Sequence, residues 1–214
     1  MQHGIVIGGE VLPGTERVMR DEGAWWAEPS SDIYPRQGHR IDRIVGHWSA
    51  GPARTGPDAG RKLVTAMKAR ERRDGTPMDV SAHFGIAWDG GIFQFADLSS
   101  CTIHVSRRIN LRSCGVECMW PGTVTMAERL GMPAATPVVG YARGGAVKCY
   151  PPSPELLEAW RWLVDALCTA QHPLLTIPRK RGGERRAGVL EHCDVKVGDK
   201  VDAGGLLIGA LGWR

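Results

Sequence analysis

The alternation of apolar and polar positions is clearest over Ile41 to Ser49, where a run centred on Ile44 and Val45 leads into His47-Trp48-Ser49-Ala50-Gly51. Such a run reads as a buried strand, and its period of two puts Val45, His47 and Ser49 on one face. Pro57-Asp58 opens a helix that the pattern carries to about Arg73, closed by Asp74-Gly75. Val80 to Trp88 and Gly91 to Ala96 read as strands joined at Asp89-Gly90-Gly91, because Asp-Gly supplies the positive φ of a tight turn. Further strands are expected at Cys101 to Val105, Ser113 to Met119 and Gly188 to His192, and a short last helix over Gly204 to Leu211. The strongest helix signal follows Ser153: a capping serine, Pro154 in the first turn, and a stripe of Leu156, Trp160, Leu163 and Leu167 that should lie flat on a sheet.

Two stretches break this rhythm. Residues 1–40 alternate turn signals with short apolar runs and read as an arm, mostly loop, packed on the domain, with Trp25 and Trp26 pinning it or, as the lesser alternative, stacking on a sugar. Pro121 to Tyr150 is rich in Gly, Pro and Ala and reads as an insertion, 121–150, within a domain spanning 41–214.

Composition narrows the class without naming it. With 43% hydrophobic and 23% charged residues in 214, the chain has a globular make-up and length enough for one sizeable core. A net charge of +4 is too diffuse for a dedicated nucleic-acid binder, and no apolar run is long enough to span a bilayer. The start of the chain lacks a basic segment followed by an apolar run and a cleavage site, so a cytoplasmic protein without a signal peptide is expected. The six cysteines are then expected as mostly buried thiols, and Cys114 and Cys118 are poorly spaced for a zinc knuckle.

The candidate chemistry gathers at strand ends. His47 closes an apolar strand, where an imidazole must be either hydrogen-bonded as part of the structure or metallated. His192 closes another, and the loop after it, Cys193 to Asp202, carries Lys200 and Asp202. Two nitrogens and one oxygen are a set that zinc uses when it keeps a position open for water. Glu117 shares one face of its strand with Ser113 and Gly115. A carboxylate in an apolar strand is costly unless it is paired with a cation or faces a cleft, where it could act as a base.

Together these segments resemble the zinc-dependent N-acetylmuramoyl-L-alanine amidases of the amidase type 2 family, which share a fold with the peptidoglycan recognition proteins. His47 to Gly51 is similar to the first-ligand segment, and Val80 to Phe84 with Asp89-Gly90 to the central hairpin. His104, Asn110 and Ser113 to Glu117 resemble the substrate-side histidine and the strand of the catalytic glutamate, and His192, Lys200 and Asp202 resemble the closing loop. The resemblance implies an α/β fold, a single domain with a central mixed sheet flanked by helices. It implies zinc on His47, His192 and Asp202, Glu117 as base and Lys200 facing the oxyanion. His104, Asn110 and Trp48 are expected at the substrate, while Ser81 and His83 support the sheet. Some members carry Tyr where this chain has Ala82, and a Pro where it has Ala203.

The implied reaction is hydrolysis of the amide between N-acetylmuramic acid and L-alanine, with peptidoglycan or a muropeptide as substrate. A monomeric phage-type endolysin, released through a holin, is the leading expectation. A cytoplasmic muropeptide-recycling amidase and a non-catalytic peptidoglycan-binding module are the rivals. The basic stretch Arg179 to Arg186 would favour an anionic wall, or is simply a solvated loop.

Overall fold

The run from Ile44 to Trp48 is buried at every residue, which an edge strand or a one-sided sheet would not allow. In the computed structural model it lies inside a larger sheet. The structure describes residues 3–20, 33–71, 74–77, 79–142, 145–183, 185–195 and 205–213. In chain order the strands are β1 (Val6–Ile7), β2 (Glu10–Val11), β3 (Val18–Arg20), β4 (Ile33–Pro35), β5 (Arg43–Trp48), β6 (Phe84–Ile86), β7 (Ile92–Gln94), β8 (Ser100–Thr102), β9 (Ser113–Cys118), β10 (Val138–Ala142), β11 (Gly145–Cys149) and β12 (Gly188–Glu191). The helices are α1 (Ala59–Lys68), α2 (Arg107–Asn110), α3 (Val124–Arg129), α4 (Pro154–Thr169) and α5 (Leu206–Ala210). None of the described helices is long and apolar enough to cross a membrane.

The main sheet runs β12-β5-β9-β6-β7-β3. Its strands β12, β5, β9 and β6 are mutually parallel, and β6 turns antiparallel into β7 at Gly90, whose φ of 84° meets the need the sequence announced. The sheet is therefore mixed and helices cover both faces, the α/β arrangement expected.

Register decides which side chains meet. His47 pairs with Glu117, and Glu117 with Gly85, so these positions lie side by side across β5, β9 and β6. On their face α1 packs over β6 and β7, where Gly60 abuts Phe93 and Gly85 abuts Phe95 and Leu63. The segment from Ile103 through α2 covers the rest of that face, with the His104 ring against Gly115. On the opposite face Gly46 lies against Trp160 of α4 and Leu207 of α5. Ser153 Oγ accepts from Leu156 N at 3.2 Å as the α4 cap, and Leu156, Ala159, Trp160, Leu163, Val164 and Leu167 are buried. Each such large apolar side chain contributes about 1.5–3 kcal/mol, and this face forms the principal core.

The arm and the insertion carry more structure than their sequence pattern shows. Most of the described arm is loop and turn, as expected, but β3 is the sixth strand of the main sheet and β4 pairs with β8, with Ile5, Ile7 and Val18 buried. Strands of two or three residues are too short to show a period. Trp25 and Trp26 lie outside the described residues. The insertion is also structured, holding α3, whose cap Thr123 accepts from Met126 N at 3.2 Å, and the hairpin β10–β11. Val138, Val147 and Cys149 turn one side of that hairpin to the core, while Val139 and Tyr141 stand exposed on the other.

Candidate metal and catalytic centre

Parallel pairing brings the C-terminal ends of β5, β9 and β12 to the same edge of the sheet, and the candidate residues sit there. His47 is next to last in β5, Glu117 is opposite it on β9, and His192 opens the 3₁₀ turn His192–Asp194 that follows β12. All three are buried, at 2%, 5% and 6% exposure. The His47 and His192 rings stand 4.7 Å apart between centroids, inclined at 71°.

His104 completes the cluster from the covering segment. Its ring lies 5.3 Å from that of His47, edge to face, with His104 Nδ1 at 3.2 Å from His47 Nε2. Its Nε2 is 3.0 Å from Ser113 Oγ. The backbone on either side is tied down, because Ile103 N donates to Ser81 Oγ at 2.8 Å and Val105 N to Asn110 Oδ1 at 3.0 Å. Asn110 is thus a buried brace of the His104 segment. It also lines a pocket of about 350 Å³ with Tyr34, Pro35, Gln37, Ile103, Val105 and Arg107. Burial, reinforced by His47, His83, His192 and Arg36, holds the His104 imidazole well below its ordinary pKa, so it is neutral.

Behind the cluster is a second layer. His83 Nδ1 receives Gly115 N at 3.1 Å and lies 2.9 Å from Thr102 Oγ1, and its Nε2 is 3.0 Å from Ser100 O. Burial first, and the nearby Arg36 cation second, push His83 down to about 3. Its place in the sheet is the supporting one anticipated, as is that of Ser81.

Sequence reading missed Arg36. This guanidinium is 3% exposed and is satisfied largely by carbonyls: Nε donates to Leu98 O at 2.6 Å, Nη1 to Asn110 O and Leu111 O, and Nη2 to Ser113 O at 2.9 Å. Nη2 also lies 2.9 Å from His83 Nε2. Arg36 thereby joins the arm to the C-terminal end of α2 and the start of β9. Glu191 was passed over too. Its carboxylate accepts from Gly205 N and, at 2.8 Å, from Ile208 N at the start of α5, and burial raises its pKa to about 7.

The remaining expected residues are placed less centrally. Trp48 points to the face opposite His47, edge to face with Trp120 at 5.0 Å and against Gly122, so its described contacts are those of the core. Lys200 and Asp202 lie outside the described residues. Among the described residues no three His, Cys, Asp or Glu side chains converge on one metal position. What they supply is a pair of imidazoles on adjacent strand ends, nitrogen donors of the kind zinc takes. Part of the basic stretch is neutralised, since Arg179 pairs with Asp165 at 2.9 Å and Arg181 with Asp194 at 2.8 Å.

A central mixed sheet with helices on both faces is the fold shared by type 2 amidases and peptidoglycan recognition proteins. The sequence profile of that family, Amidase_2, N-acetylmuramoyl-L-alanine amidase, matches residues 37–205, and the chain belongs to it. Among solved structures, the fold is similar to that of the N-acetylmuramoyl-L-alanine amidase LysC from Clostridium intestinale, at 15% identity over 92% of this chain and 98% of that one, with a TM-score of 0.53. Peptidoglycan recognition protein LE, solved in complex with tracheal cytotoxin, a monomeric diaminopimelic acid-type peptidoglycan, gives 13% identity, 92% and 94% coverage and a TM-score of 0.58. The Ph2119 endolysin of a Thermus scotoductus bacteriophage gives 16% identity, 92% and 99% coverage and a TM-score of 0.50. None of the curated proteins matches the sequence.

Proposed function

We propose that this amidase-family chain is a zinc-dependent N-acetylmuramoyl-L-alanine amidase of the endolysin type, acting on the amide that joins the lactyl group of N-acetylmuramic acid to L-alanine. The observation that carries the reading is the in-register pair His47 and Glu117 with the His192 ring alongside. His47, His192 and Asp202 would hold the metal, which when bound supplies Lewis-acid polarisation of the amide carbonyl and acidifies water toward neutrality. Glu117, one strand away from His47, would take the proton of the attacking water and return it to the leaving nitrogen. Lys200 is assigned to the developing oxyanion, a role whose loss costs roughly 10²–10³-fold in rate in other systems. The buried walls around Glu117 limit competing water.

A non-catalytic peptidoglycan-binding role is the second reading, favoured by the similarity to a recognition protein solved with a muropeptide. The two separate in one experiment. Purified protein, with and without a chelator, is given peptidoglycan, and the products are examined by mass spectrometry for stem peptides that begin with L-alanine. The amidase reading expects release that a chelator abolishes and zinc restores. Glu117→Gln should keep the metal and lose about 10²–10⁴-fold in activity, whereas His47→Ala should lose both. Intact peptidoglycan after incubation with zinc-loaded protein leaves the binding role; cleavage of glycan or cross-bridge bonds removes the bond assignment.

A further inference from the structure

Ser113 Oγ has a single proton and two polar neighbours. One is the carbonyl of Ile109, at 2.9 Å, which can only accept. The other is His104 Nε2, at 3.0 Å. The hydroxyl proton therefore goes to Ile109 O, and the bond to the ring is satisfied only if Nε2 carries a hydrogen and donates it to Ser113. A neutral imidazole has one N–H, so Nδ1 is left with a lone pair. That lone pair is on the side of the ring that faces His47, 3.2 Å from its Nε2.

We infer that Ser113 is a positioning residue that locks His104 as its Nε2–H tautomer, so that His104 offers the cleft a hydrogen-bond acceptor and selects a substrate group bearing an N–H or O–H. The assignment of the cleft to a peptide substrate rests on the function proposed above; the tautomer does not. While His47 Nε2 is protonated, it is the donor that His104 Nδ1 receives. A metal held through that nitrogen would displace the His47 proton, and the donors left for His104 would then be peptide N–H groups, sugar hydroxyls or water. A carbonyl oxygen gains nothing from Nδ1, so His104 cannot polarise the scissile carbonyl from this position. The lock is well braced. Ser113 is fully buried at the start of β9, its carbonyl is held by Arg36, and Gly115 gives the ring room to lie flat on the strand.

The test uses the full chain labelled with ¹⁵N-histidine, with the His104 signals assigned by their loss in His104→Asn. The metal-free wild type should show a protonated, pyrrole-like Nε2 and a pyridine-like Nδ1. Ser113→Ala should redistribute the proton between the two nitrogens, and Ser113→Thr, which keeps the hydroxyl, should restore the wild-type pattern. On muropeptide, Ser113→Ala should turn over about fivefold more slowly, the worth of one ordinary hydrogen bond, with zinc affinity unchanged and Ser113→Thr recovering the rate. A wild-type His104 protonated on Nδ1, or a Ser113→Ala spectrum identical to wild type, overturns the inference. If the spectra are as expected and no form cuts muropeptide, the tautomer stands and the amidase reading falls.

Discussion

Adding one methyl group at Gly115 should displace His104 and leave the rest of the sheet nearly intact. Gly115 sits in the middle of β9, paired to β5 on one side and β6 on the other, with no positive φ, so alanine suits its backbone. A Cβ there would stand 2.6 Å from His104 Cγ and 2.8 Å from Cδ2, and ordinary contact begins at 3.4 Å. The strand, hydrogen-bonded on both edges, cannot retreat, so the ring must withdraw by about 0.8 Å, the difference between 3.4 and 2.6 Å. Moving away from β9 stretches the 3.0 Å contact to Ser113 on the same strand, by at most those 0.8 Å, and weakens that hydrogen bond. Overpacking of this kind costs about 1–3 kcal/mol of stability, and a misplacement near 1 Å costs on the order of 10²-fold in rate. The assay pairs urea denaturation with muropeptide turnover and zinc titration on Gly115→Ala. A folded, zinc-binding variant with a large loss of turnover is expected. Turnover within twofold of wild type in a folded variant would show that the ring position does not matter, and the account of His104 would fail.

Two further outcomes are expected. His83 has a folded pKa near 3 against an ordinary value of 6.5, so between these pH values the unfolded chain binds a proton that the folded one does not, and stability falls as the medium is acidified. At pH 5 this amounts to 1.5 units, about 2 kcal/mol lost relative to pH 7; His83→Gln should flatten the urea-midpoint slope over that window, and an unchanged slope refutes the assignment. Arg36→Met should leave the carbonyls of Leu98, Asn110, Leu111 and Ser113 without this donor and cost about 3–5 kcal/mol by denaturation, with amide exchange quickening first around residues 98–113; a loss under about 1 kcal/mol would contradict the brace.

What the sequence discloses here follows from how each feature is encoded. β5, β9 and β12 are buried on both faces, and such strands read as apolar runs in which a lone His or Glu is conspicuous. That is why His47, Glu117 and His192 could be picked out before their meeting was seen, and why the start and the buried stripe of α4 could be read from its cap and spacing. The face a residue takes is legible as well, since alternation already grouped Ser113, Gly115 and Glu117. Arg36 is different because its partners are backbone carbonyls, which every residue has; in a stretch of Pro, Gly and polar residues nothing marks it as buried. The short strands of the arm take their order from pairing with β7 and β8 rather than from their own pattern. The hairpin in the insertion is masked by composition, since only Val138, Val147 and Cys149 face the core.

The last two residues around the end of β12 show how the same alternation builds the closing side of the site. Glu191 is in register with Gly46, so it faces α4 and α5, and His192 follows on the face of His47. Glu191 then accepts the first amides of α5, while Leu207 of that helix covers Gly46 on the same side. At the other end, Val195 N donates to His192 O at 3.0 Å. Val195 and Gly205 are therefore both tied to the short stretch that begins at Glu191, one on each face of the sheet.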